Sequence, residues 1–408
     1  GIYFYGYAPS TTRETFGIGA GYAYLDIIGI NDSTHVRIYD LRTGVQIDEA
    51  TVNRMQLYTY RLPSGTYFKV EADKIVSICL SSGTIIADHV DVGPPTANTF
   101  YTSVDGGLAG KEFIFMALDT YQSQISVYAV EDSDVTIYNS TDAAVHRLRL
   151  TAYSTAGFQL RVRGLYRLVS TGRVVVENAP NAAPVFNYVP SLTGGYVGNT
   201  FFSFNSYFTI NPPTITAQER STVKVFLIGT AGISTSPMAE KGLDAGEDWA
   251  LSGRMDLPIV IKATGLVLVR KGLGGSLTFM GLKGGEDAWL QVPDGGVIIF
   301  SPNPASLTID DTPRTLGKDG MEPIPPGPHR ITTNATIVLE LVSASMEQYA
   351  AYLVSLNGLE VVYPAPPPMP SGGEMTIYYA AAGAAVAVVA VLLILRRRGG
   401  RRVSIRQG

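Results

Sequence analysis

One cysteine in 408 residues, Cys79, excludes an intramolecular disulfide framework, so stability has to come from buried apolar area. Cys79 sits in the apolar run IVSICL and reads as a small buried hydrophobe. Charged residues are scarce at 16%. The four histidines, His35, His89, His146 and His329, show neither HxH nor HExxH spacing, so no zinc set is expected. There is no GxSxG elbow, phosphate-binding loop, dinucleotide fingerprint or CxxC, and no enzyme activity is expected. Sustained helical periodicity is also missing, apart from a short run at 344–355 and one long apolar stretch near the end.

That stretch, Met375 to Leu395, carries no charge. A helix of this length crosses roughly 30 Å of hydrocarbon and predicts a single transmembrane span. Tyr378 and Tyr379 mark one interface, and Arg396, Arg397 and Arg398 open a basic tail on the other. The positive-inside rule puts the tail in the cytoplasm and everything before the span outside the cell. The chain opens on Gly1 without a signal sequence, which predicts a processed form. Six of the 31 basic residues fall in the tail, leaving 25 against 35 acidic ones outside. An acidic exterior excludes nucleic acid as a partner and leaves the bilayer, further copies of the chain or another surface protein.

What is abundant is turn and strand chemistry: 43 glycines, 24 prolines and 23 tyrosines among short β-branched runs. Ile27–Asp40 aligns without gaps on Ser126–Asn139, and Thr66–Ile78 on Leu165–Glu177, at one common offset. The second alignment pairs Tyr67 with Tyr166, Val70 with Val169, Ile75 with Val174 and Val76 with Val175. Pro258–Gly272 and Pro328–Leu341 are further copies of this latter half, and ANTFYT (97–102) resembles GNTFFS (198–203). Leu62-Pro63-Ser64-Gly65 and Val292-Pro293-Asp294-Gly295 read as hairpin turns. The fold class expected is all-β, tandem immunoglobulin-like β-sandwich domains followed by the C-terminal transmembrane helix. The boundaries are 1–104, 105–199, 200–295 and a smaller unit 296–363, then a proline-rich stalk 364–374, the span 375–395 and the tail 396–408. GIYFYGY at the N-terminus reads as an aromatic edge strand, pairing within its own domain or with a neighbouring chain.

Two GED segments with tryptophan, around Trp249 and Trp289, offer Glu247, Asp248, Glu286 and Asp287 as candidate calcium ligands. The simpler reading is a pair of polar turns whose tryptophans pack inward. No other cofactor is expected. Three sequons make Asn31, Asn139 and Asn334 candidate glycosylation sites at strand-flanking turns.

With its proline stalk at Pro364–Pro370, its Ala/Val/Leu-rich span, its Arg396–Arg398 stop and its cysteine-poor β repeats, the chain resembles membrane-anchored archaeal cell-surface proteins of the S-layer or S-layer-associated type. The resemblance implies a glycosylated structural protein of the cell envelope that assembles laterally or anchors a lattice. Two alternatives fit the same topology: an adhesin or viral envelope spike, and an extracytoplasmic subunit of a membrane complex or a surface hydrolase.

Overall fold

The computed structural model describes residues 1–9, 22–81, 99–118, 123–161, 164–178, 186–205, 213–251, 257–272, 277–343 and 349–369. Among them the chain is all-β with antiparallel sheets, plus one short helix. No helix in that set is long and apolar enough to cross a membrane. The span 375–395, its tyrosine and arginine flanks and the tail lie outside the described residues.

The first unit holds β1 (Ile2–Tyr7), β2 (Tyr22–Gly29), β3 (Thr34–Asp40), β4 (Gln46–Val52), β5 (Leu57–Pro63), β6 (Tyr67–Ala72) and β7 (Val76–Ser81). One sheet has the order β1-β6-β3-β4; the other contains β7-β2-β5. Val36, Ile38, Phe68 and Val70 from the first sheet share a core with Leu25, Ile27, Ile78 and Leu80 from the second. β6 alternates buried and half-buried residues, because only one of its faces is covered, whereas β7 is buried at every position. Strands β2 and β7 of the second sheet are therefore covered on both faces, which is why IVSICL reads as a nearly continuous apolar run.

The second unit repeats this layout with β8 (Thr99–Phe100), β9 (Gly110–Met116), β10 (Ser123–Ala129), β11 (Ser133–Asn139), β12 (Ala144–Leu150), β13 (Thr155–Leu160) and β14 (Leu165–Asn178). β14 runs through both sheets: residues 165–170 pair with β9 and β11, and 174–178 pair with β10 and β8.

In the third unit are β15 (Asn187–Tyr188), β16 (Gly198–Asn205), β17 (Thr214–Ala217), β18 (Ser221–Gly229), β19 (Gly232–Ile233), β20 (Ala239–Leu243), β21 (Asp248–Ala250) and β22 (Leu257–Lys271). Here β22 plays the part of β14.

The fourth has β23 (Leu277–Leu282), β24 (Asp287–Val292), β25 (Val297–Ser301), β26 (Ala305–Ile309), β27 (Thr312–Leu316), β28 (Gly320–Ile324), β29 (Gly327–Thr333) and β30 (Ile337–Val342). Its sheets are β24-β29-β26-β27 and β23-β30-β25-β28.

One latch recurs where the chain crosses between sheets. Asp73, Thr171, Thr264 and Asn334 each accept a hydrogen bond from the backbone N–H of His35, Asp134, Thr222 and Ser306, at 2.8 to 2.9 Å. The four repeats read from sequence are thus four copies of one crossing.

Edge strands β8, β15 and β23 open units two to four, each against the crossing strand of the unit it enters. In unit one that position, beside β7, is filled by β31 (Ala350–Tyr352) from the far end of the chain. After β31 comes α1 (Leu356–Glu360), capped by Ser355, whose hydroxyl accepts from Gly358 N. The four units close into a circle.

Several expectations change on this frame. Pairing puts Ala72 and Ser170 opposite Val36 and Val135, so Val70 corresponds to Leu168 and Val76 to Val174, one residue away from the alignment read by eye. A slip of one exchanges the faces of a strand: half-buried Tyr67 had been matched to buried Tyr166. The gapless match does hold for β3 on β11. ANTFYT and GNTFFS occupy different places, β8 and β16. The turns at Pro63 and Pro293 are tight, with Pro63 O accepting from Thr66 N and Pro293 O from Gly296 N, but each joins strands of different sheets rather than a hairpin. Of the helically periodic run 344–355, residues 344–348 lie outside the described residues, and Ala350–Tyr352 form β31 on the open edge of β7. β23 pairs with β30 and β24 with β29, both partners lying beyond residue 295. β1 pairs with β6 of its own unit.

Candidate functional site

The ring centre is built from four short segments that follow the edge strands: Ser103-Val-Asp-Gly-Gly107, Ser191-Leu-Thr-Gly-Gly195, Gly281-Leu-Lys-Gly-Gly285 and Ser355-Leu-Asn-Gly-Leu359. In the first two the serine N–H donates to the last glycine's carbonyl at 2.8 and 2.9 Å, a tight reversal; in the fourth the same motif starts α1. α1 wedges among the others. A Cβ on Gly358 would fall on the carbonyl of Gly106, so glycine is required there, and one on Gly281 would fall on the side chain of Leu359, which would have to move. Tyr363, just beyond, accepts from Ala109 N at 3.1 Å, and its own N–H donates to Thr193 O at 3.4 Å. Burial pushes its hydroxyl up to about 12. The proline segment then lies on the ring: Tyr153 donates to Pro367 O at 2.5 Å and Met369 packs against the third core. Pro367 and Met369, within the segment read as a stalk, therefore touch the folded units, and residues 370–374 lie outside the described residues.

Around this hub each seam between units buries a polar group from the doubly covered sheet. Asp26, between units one and two, is fully buried, accepts from Thr59 Oγ1 at 2.6 Å, and has one oxygen with no partner among the described residues. Desolvation pushes its carboxyl up to about 6. Tyr352 completes that seam: its hydroxyl accepts from Met116 N at 3.0 Å and its ring stands edge-on to Tyr101 at 4.9 Å.

Between units two and three, fully buried Glu177 pairs with Lys271 and accepts from Tyr128, whose ring stacks on Phe202 at 5.3 Å. Between three and four, Gln218 grips Trp289 through both backbone groups, at 2.5 and 3.3 Å, and Arg270 lies over Phe186. Between four and one, Glu340 is fully buried, accepting from Tyr7 N at 2.5 Å while its other oxygen has no partner among the described residues. Desolvation drives that carboxyl well above its ordinary value. Nearby, Asp319 takes Tyr5 Oη at 2.6 Å and Lys69 Nζ at 2.8 Å.

The GED segments form one kind of turn twice: Glu247 and Glu286 each accept from the N–H three residues earlier, Asp244 and Lys283. Gly246 backs onto the Trp289 ring, so the loops are neighbours. Their carboxylates nevertheless diverge, Glu247 to Lys241, Asp248 to Thr216 and Asp287 to Arg330. No group of three or more metal-ligating side chains occurs among the described residues.

Of the histidines, His35 contacts Thr51, His146 packs at a tilt against Phe158, and His329 bridges Asp310 and Pro325; His89 lies outside the described residues. Cys79 is buried, and desolvation drives its thiol well above the ordinary value. Asn31 and Asn334 are exposed and Asn139 half-buried; the bonds of the last two use Oδ1. An open cleft of about 410 Å³ in unit three is walled by the exposed Arg220 and Asp244.

The hub motif and the ring-closing strand escaped sequence reasoning. Their signal was available in the repeat of Ser/Gly-Leu/Val-x-Gly at 103, 191, 281 and 355, each at or just after the end of an edge strand. No protein-family profile and no curated protein sequence matches the chain.

Proposed function

We propose that this chain is a structural component of a cell envelope, of S-layer or S-layer-anchoring type, standing outside the membrane on a single helix at 375–395. In this reading its four units are immunoglobulin-like sandwiches, its tail is cytoplasmic, and Asn31, Asn139 and Asn334 carry glycans. The observation that carries the proposal is the wiring of the anchor. The segment leading to the span is the one that closes the ring, through β31 on β7 and α1 in the hub. A pull on the membrane end is thereby shared by all four units, as a load-bearing scaffold requires. Exposed edges and faces on the rim leave lateral assembly open.

Electron microscopy of native membranes carrying the protein tests this. Ordered arrays or filaments of four-unit rings are expected. A protein that stays monodisperse and monomeric at high concentration, with and without divalent cations, would sink the proposal.

A further inference from the structure

The four units present four equivalent outer edge strands, β4, β12, β20 and β27, each the last strand of its sheet. An unpaired edge is a template for another chain unless it is blocked. Two of the four are blocked. In β20, Glu240 pairs with Lys224 and Lys241 with Glu247, and β27 carries Pro313 and an Arg314–Glu322 pair. β4 and β12 carry neither device.

β4 and β12 are the same strand in adjacent units. Both hairpins shift register at the same point, after Ile38 and after Ile137. Asp48 lies opposite Ile38 as His146 lies opposite Ile137, and Glu49 opposite Arg37 as Arg147 lies opposite Thr136. At the matched position Glu49/Arg147 the edges therefore differ in sign, with Asp48 a second acid on one and Arg149 a second base on the other. Glu49, Arg147 and Arg149 are exposed, and both arginines are without an ion pair among the described residues. One opposite charge stands on each neighbouring strand, Arg37 beside Glu49 and Asp134 beside Arg149. Each edge also shows an exposed valine, Val45 at 58% and Val145 at 41%.

We propose that β4 of one copy adds to β12 of a second copy of this chain, antiparallel, joining unit one to unit two across molecules. The inference rests on the lateral assembly proposed above and names its contact. In the register that sets Glu49 opposite Arg147, both outward faces lie on one side of a continuous sheet. Main-chain hydrogen bonds supply the joint and the charges select the partner edge, since β4 on β4 or β12 on β12 would oppose like charges. Because the two edges are different surfaces, the contact is head-to-tail and propagates instead of closing on a two-fold axis.

The test uses the full-length chain in detergent, with self-association followed by sedimentation. Glu49→Arg and Arg147→Glu, both at exposed positions, are each expected to weaken association about tenfold. The double variant, Glu49→Arg with Arg147→Glu, is expected to restore it, and high salt to weaken the wild type. Single reversals without effect on an associating wild type would overturn this contact while leaving lateral assembly standing. Single reversals that weaken association without rescue by the double variant would overturn the pairing of these two edges. A wild type that does not associate would overturn both proposals.

Discussion

Tyr352 lies opposite Cys79 in the β31–β7 ladder, joining the last described strand to the first unit. Its hydroxyl reaches the backbone of Met116 in the second unit, so a single side chain ties the closing strand, the first unit and the second together. Tyr352→Phe leaves the buried Met116 N–H without that acceptor and is expected to cost about 1–3 kcal/mol. Tyr352→Ala also empties the aromatic site beside Tyr101, for about 3–5 kcal/mol. Urea denaturation of the two variants measures both.

Cys79 reports on the same seam. Its thiol is buried and held neutral by desolvation, so a thiol reagent is expected to leave the native protein unlabelled. Labelling is expected to speed up in Tyr352→Ala under conditions where that variant is still folded. Equal rates in variant and wild type would mean that β31 does not guard β7.

At the hub, Gly358→Ala drives a methyl group onto the carbonyl of Gly106, whereas Gly242→Ala in β20 meets no atom within 4 Å. The first is expected to cost about 1–3 kcal/mol, because backbone on both sides must shift. The second stays neutral or gains up to about 1 kcal/mol by restricting the unfolded chain. Thermal melts of the pair separate steric demand from glycine content.

The crossing between sheets was legible in the sequence because its pattern changes halfway. β6 alternates, as a strand covered on one face must, and β7 is buried throughout and apolar but for Ser77 and Ser81, as one covered on both can be. That change recurs at β14, where Leu165–Ser170 alternate and Val174–Asn178 are all buried. Register was harder to read: Tyr67 and Tyr166 match by type while sitting on opposite faces, and only hydrogen-bond pairing separates them. Closure was harder still. Ala350–Tyr352 is three residues of ordinary composition, and what makes it a strand is an open edge some 270 positions earlier in the chain. Glu247 and Glu286 each accept from the N–H that opens their own turn, while Trp249 and Trp289 stay half-buried.

Asp26 makes stability depend on pH. Its carboxyl has a folded value of about 6 against an ordinary 3.8, so the folded state holds a proton that the unfolded state has released. The resulting stabilisation is complete below pH about 4 and is lost as pH rises through about 6, an effect of at most about 3 kcal/mol. Glu340, raised by burial, acts in the same direction. Asp26→Asn is expected to flatten the stability profile between pH 4 and 6 and to stabilise the protein at pH 7. A profile unchanged by the substitution would place the pH response elsewhere.

The central claim is the closed circle of four units, and single-particle electron microscopy of the full-length chain in detergent tests it most directly. The account predicts compact four-lobed particles with a filled centre, becoming open or variable when Tyr352→Ala and Gly358→Ala are combined. Four beads in an extended row in the wild type would contradict it.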